Sequence, residues 1–183
     1  MRYPDHARVV SYLRRWSQGA FEGLLNSLDD LSDPQAWWRL KPELSEGEEY
    51  LHSSGSILGL VLHVASCKVM YAEYAFHDSA LRWRDMADRA RKAEPHLKQA
   101  IDWLNEAQDL WMGSWADLSD ADLETPRRTN WGEMWPTERI ITAMIHHDIH
   151  HTGQIYYIRA LLPEDLTDVL PVSEADLWDR YLS

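Results

Sequence analysis

The run MIHHDIHHTGQIYYIRALL, Met144 to Leu162, decides how this chain folds and where its chemistry lies. Apolar residues return in it every three or four positions, the signature of an amphipathic helix. Stepping by four and three from Ile140 gives Met144, His147, His151, Gln154, Ile158 and Leu161. Both ends of that row are apolar, so it faces a core, and His147 and His151 replace core residues in its middle. Being four apart, their rings lie one turn apart on the same side and could share one ion. His146 and His150 fall on a flanking, more polar row with Arg139, Ala143 and Tyr157, at the edge of the core.

The helix carrying this run is predicted from about Pro136 to just before Pro163, because proline can begin a helix but not continue one. Three other long helices are read from apolar spacing. One covers about Pro4 to Leu28, with Val9, Leu13, Trp16, Ala20 and Leu24 on one side. The next runs from about Ser54 to Phe76, with Ser53 and Ser54 as capping candidates. The third opens near Pro95, carries Leu97, Ile101, Leu104 and Trp111, and stops near Gly113. Between the second and third lies DSALRWRDMADRARKA, Asp78 to Ala93, read as a short or frayed helix.

Two long connections complete the chain. LSDPQAWWRLKPELSEGEEY, Leu31 to Tyr50, holds two prolines and a glycine and reads as a loop. SWADLSDADLETPRRTNWGEMWP, Ser114 to Pro136, leaves room for a small extended turn at Thr129 to Trp135. Four amphipathic helices with two long connections predict an all-α fold, a four-helix bundle, as a single domain over residues 1–183. Bundles of this kind place metal and ligand sites between facing helices.

Composition narrows the function classes. The formal net charge of -12 disfavours nucleic acid and anionic membrane surfaces as partners. The basic residues Arg89, Arg91 and Lys92 are interleaved with Asp88 and Glu94, a solvated helix face. A single cysteine, Cys67, excludes an internal disulfide. No run approaches 18 apolar residues, and MRYPDHARVV lacks the apolar core of a signal peptide, so a cytoplasmic protein that does not enter membranes is expected. Ten tryptophans against two phenylalanines predict aromatic walls in the core and around any pocket.

Two histidines on one helix are too few for an open catalytic metal site, which takes three protein ligands. The second helix offers a third. Its apolar run ILGLVLHVAS is interrupted by His63, with Gly59, Cys67, Met70 and Tyr74 on the same side. A histidine buried there is costly unless its ring nitrogens find partners, and a metal shared with His147 and His151 would provide one. A hydrogen-bonded core histidine, or a surface pair four apart, is the ordinary explanation of each feature alone. Their joint placement in two core-facing rows is what points to metal. Cys67, one turn after His63, is either a fourth ligand or a small buried hydrophobe.

At this point HDIHHTGQI, His147 to Ile155, resembles the HxxHHxGQI signature of DinB-like, YfiT-like bundle proteins. The resemblance covers nearly the whole chain in helix order, and the signature is its specific part. It implies that His63, His147 and His151 hold a divalent metal ion. Two departures stand out: Gly55-Ser56 occupies the place of a Trp-Ser pair common in the family, and Cys67 is not expected there.

The resemblance further implies a metal-dependent enzyme acting on a small-molecule substrate, thiol-dependent S-transferase-like or hydrolase-like. A low-molecular-weight thiol would be the cosubstrate of the transferase form, and the family implies a homodimer. Histidine ligands suit zinc, nickel or iron(II) alike. His150 and Gln154 are the candidate catalytic residues, Gln154 orienting a ligand or a water and His150 moving protons. Asp148 is a candidate beside His150 for supporting a ligand or moving a proton, with an exposed, solvated role the favoured reading, and Gly153 reads as permitting close helix packing. The alternatives are a non-catalytic metal-binding or stress-response bundle with a closed site, and a metal-free protein whose histidines form a pH switch.

Overall fold

The computed structural model describes residues 8–39, 55–94, 96–166 and 169. Its long helices are the four read from spacing: α1 (Arg8–Asn26), α3 (Ile57–Phe76), α5 (Leu97–Ser114) and α6 (Thr137–Ala160). Two short helices join them, α2 (Asp33–Trp37) and α4 (Trp83–Ala93). A 3-10 turn at Asp120–Glu124 and a hairpin of β1 (Pro126–Arg128) with β2 (Met134–Pro136) fill the last connection. The fold is the expected all-α bundle.

The chain direction follows from contacts at the helix ends. His77, just past α3, meets the hydroxyl of Ser114 at the end of α5 at 2.8 Å, so α3 and α5 run the same way. Arg159 near the end of α6 donates to the carbonyls of Ser27 and Asp29 past α1, so α1 and α6 also run together. The two pairs oppose each other: His63 early in α3 meets α6 at His147, while the carbonyl of Ala75 late in α3 accepts from Arg127, ahead of α6. This brings the middle of α3 against the middle of α6, where their histidines lie.

The core explains why α3 is so apolar. Sixteen of its twenty residues are buried, because α5 and α6, with α2, α4 and β1, pack around it. It has the length and apolar composition of a membrane span, yet 83% of its most apolar window is buried inside the protein. Burial on every side suits a helix that is hydrophobic all round. Trp111 and Trp115 are fully buried, their rings tilted to one another with centroids 6.1 Å apart, part of the aromatic core that the tryptophan content predicts.

Several local expectations change. The stretch read as a loop from Leu31 contains α2, whose Ser32 and Gln35 form a capping box around Pro34. The cap of α3 is Ser56, whose hydroxyl accepts the amide of Gly59 at 2.9 Å; Ser53 and Ser54 lie outside the described residues, as do Pro4 and Pro95. Gly55 precedes Ser56 at φ +79°, a conformation that glycine adopts without strain. So Gly55-Ser56 opens the helix by a turn and a cap in the place of the Trp-Ser pair. The extended turn becomes a hairpin whose strands flank residues 129–133.

Two helices are capped by carboxylates distant in sequence. Asp120 accepts the amides of Val9 and Val10 at 3.0 and 2.9 Å. Asp33 accepts the amide of Leu97 at 2.9 Å and meets His96 at 2.9 Å. Each satisfies amides left free in a first helical turn and places negative charge at its positive end.

Candidate metal centre

The α3–α6 seam brings His63, His147 and His151 together. The Nε2 atom of His147 lies 3.1 Å from that of His63 and 3.1 Å from that of His151. The three rings sit with centroids 4.3 to 5.0 Å apart. His63 and His151 are buried, and His147 is partly exposed, so the cluster reaches solvent on one side.

Proton positions follow from the partners. Gln154, one turn beyond His151, places its amide oxygen 2.6 Å from His151 Nδ1, which must carry the proton to donate to it. His151 Nε2 is thereby left with its lone pair toward His147. The other nitrogen of His147, Nδ1, is buried without a hydrogen-bond partner. If His147 Nε2 carries the proton, it serves only one of its two neighbours and Nδ1 is orphaned. If Nδ1 carries it, the orphan is an N–H, and the Nε2 lone pairs of His147 and His151 face each other. A cation among the Nε2 atoms would take up the lone pairs that meet there, with the His147 proton on Nδ1.

The spacing fits such an ion. A centre about 2.0–2.1 Å from two imidazole nitrogens at the tetrahedral angle holds them about 3.3–3.4 Å apart. The observed 3.1 Å pairs are within a few tenths of that. Burial, with the neighbouring His63, His151, Lys68 and His150 adding to it, holds the His147 pKa well below the usual histidine range. The ring is neutral at physiological pH, the form that ligates metal. His63, Cys67 and His147 also form a group whose ligand atoms all lie within 4.8 Å of one another, so a metal site that includes the thiol is geometrically open to this chain. The Cys67 thiol is pushed up to about 12 by burial, with Lys68 opposing and Asp148 reinforcing the rise.

The remaining predicted residues separate. Gln154 is half-buried and orients His151. His150 is exposed at the rim, its ring edge-on to His151 at 5.1 Å. His146 is exposed and packs edge-to-face on Trp16 at 5.7 Å. Leu161, expected on the inward row, is exposed, because the helix ends at Ala160. Gly153 is exposed too, and a methyl group there would meet nothing within 4 Å, so it is not a packing glycine.

Asp148 is the largest correction. It is completely buried, with Oδ2 2.6 Å from Nζ of Lys68, which is equally buried. Lys68 also lies 5.3 Å from the centre of the Phe21 ring of α1, within cation–π range. Burial pushes the lysine down and the aspartate up, and the attraction of each for the other opposes both shifts. The pair ties α3 to α6 one residue from Cys67 and one from His147. A signal for it exists in the sequence. The row Ile141, Ile145, Asp148, Ile155 is apolar except for one acid, and LVLHVASCKVM is apolar except for His63, two small residues that bury easily and one base. Two lone opposite charges on core-facing helices imply each other.

Comparison with known proteins completes the description. The DinB superfamily model matches residues 15–155. A crystal structure of a conserved protein from Enterococcus faecalis superposes with a TM-score of 0.63 at 14% identity, covering 84% of this chain and 96% of that one. A DinB-like protein from Bacillus cereus ATCC 10987 superposes with a TM-score of 0.53 at 17% identity, covering 86% of this chain and 95% of that one. These two similarities are of fold. No curated protein matches the chain in sequence. With the bundle, its direction and the profile match in agreement, the chain belongs to the DinB superfamily.

Proposed function

We propose that this protein is a divalent-metal enzyme of small-molecule chemistry, S-transferase-like or hydrolase-like, with His63, His147 and His151 as its metal ligands. The observation that carries this reading is the approach of three imidazoles in a seam where His147 Nε2 stands 3.1 Å from two others. A divalent ion held there would act as a Lewis acid, making a small thiol or a water a better nucleophile at neutral pH.

The chain's own residues prepare that chemistry. Gln154 fixes the tautomer and rotation of His151 through its 2.6 Å contact, so Nε2 keeps its lone pair inward. Burial keeps His147 neutral. The apolar surroundings from Met144, Ile145 and Ile155 exclude bulk water from the inner side. His150, at the exposed rim beside His151, takes or returns a proton from a substrate entering past His147.

The test is a metal-replete turnover screen with small electrophiles, run in water alone and with added low-molecular-weight thiols. Turnover that needs both metal and thiol supports the transferase form; turnover with metal alone supports the hydrolase form. Stoichiometric metal without turnover in either arm would favour the non-catalytic bundle, and no metal would end the proposal.

A further inference from the structure

We propose that Cys67 is a fourth donor of the resting metal centre, making it a three-histidine, one-thiolate site that prefers zinc-like tetrahedral ions. This rests on the metal reading above and goes beyond it in naming a ligand and selecting the metal. The argument begins with helix geometry. On α6, His147 and His151 are four residues apart and point into the seam; on α3, His63 and Cys67 are also four apart. Two such pairs on facing, opposed helices bring four candidate donors into one seam, two from each side.

The distances agree. The Cys67 sulfur lies 3.6 Å from His63 Nε2 and 3.8 Å from its Nδ1. An ion about 2.3 Å from a thiolate sulfur and about 2.05 Å from a nitrogen, at the tetrahedral angle, holds the two about 3.5–3.6 Å apart. Cys67, His63 and His147 place their donor atoms within 4.8 Å of one another; His151 stands outside that group and approaches it at His147, 3.1 Å away.

Binding is a proton exchange without redox. The S–H bond of Cys67 breaks, its proton leaves to solvent, and a sulfur–metal bond forms; no electron changes hands. A soft thiolate with three imidazoles favours a tetrahedral zinc-like ion over those that prefer six hard ligands. The same sulfur is the group that an entering thiol or water must displace or join.

Cobalt(II) tests this directly, since it reports a tetrahedral site in its visible bands and a bound thiolate in an intense near-ultraviolet charge-transfer band. The chain has one cysteine, so with a phosphine as reductant that band has a single source. Expected for the tag-free protein are one bound cobalt per chain, tetrahedral visible bands and the sulfur band. Cys67→Ala and Cys67→Ser, checked for native helical content, should keep cobalt but lose the sulfur band, with zinc affinity down about 100-fold or more. Bound cobalt without a sulfur band, or a band surviving in Cys67→Ala, overturns Cys67 as a ligand while leaving the histidine centre standing. Failure to bind any cobalt overturns the centre itself, and this inference with it.

Discussion

Two polar clusters lie side by side in the α3–α6 seam and solve burial in opposite ways. Lys68 and Asp148 have opposite charges and satisfy one another at 2.6 Å. His63, His147 and His151 are alike, and all three offer lone pairs or N–H groups to the same space. The first cluster neutralises its own charge within the chain, although Asp148 Oδ1 is buried without a hydrogen-bond partner. The second would be completed by a cation. Opposite charges can neutralise each other inside the fold; like imidazoles at this spacing are what a divalent ion would join.

The contrast can be broken first at the ion pair, where the largest effect is expected. Lys68→Ala or Asp148→Ala leaves one charge buried alone and should cost about 3–5 kcal/mol in urea unfolding. The double variant Lys68→Met/Asp148→Leu, with no charge left to bury, should recover most of that loss. If the double variant is no more stable than the singles, the pair is not the self-contained unit described here.

The histidine cluster should behave the other way. His63→Ala or His147→Ala should lower zinc affinity by at least about 100-fold, roughly 2.7 kcal/mol, by competition with a chromophoric chelator. In chelated protein the same variants should lose less stability than the ion-pair singles, because no paired charge is abandoned. Equal destabilisation of apo and zinc-loaded protein would make the histidines structural.

Zinc itself should stabilise the wild type by about 2.7 kcal/mol at a free concentration of 100 times Kd. The ion-pair single variants should keep that increment above their lowered baseline, whereas His147→Ala should lose it. Smaller again is Gln154. Gln154→Ala should weaken zinc binding by roughly 10–100-fold, as loss of a group that orients a metal-ligating histidine does, with little change in apo stability. The smallest effect belongs to the cap: Ser56→Ala should cost about 1 kcal/mol and leave zinc affinity nearly unchanged.

How much of this is legible without coordinates divides along physical lines. The four long helices and the hairpin region follow from local periodicity and proline placement. The three histidines follow from helix phase once two helices face each other. Asp148 does not, because a single phase step of four and three selects only one row. The buried face is wider, including Ile141, Ile145 and Ile155 as well as Met144 and Ile158. Lys68 is hidden for the same reason, since a lone lysine in an apolar helix is only sensible beside a partner 80 residues away. The capping of α5 by Asp33 and of α1 by Asp120 is equally non-local. Local pattern specifies which face is buried; only tertiary packing specifies what a buried polar atom touches.

The central claim is that the seam's second cluster is a cation site. Calorimetric titration of chelator-stripped, tag-free protein with zinc tests it most directly, run beside His147→Ala. The account predicts one zinc per chain in the wild type and binding weakened at least about 100-fold in the variant. No zinc binding, or equal affinity in both proteins, would contradict it.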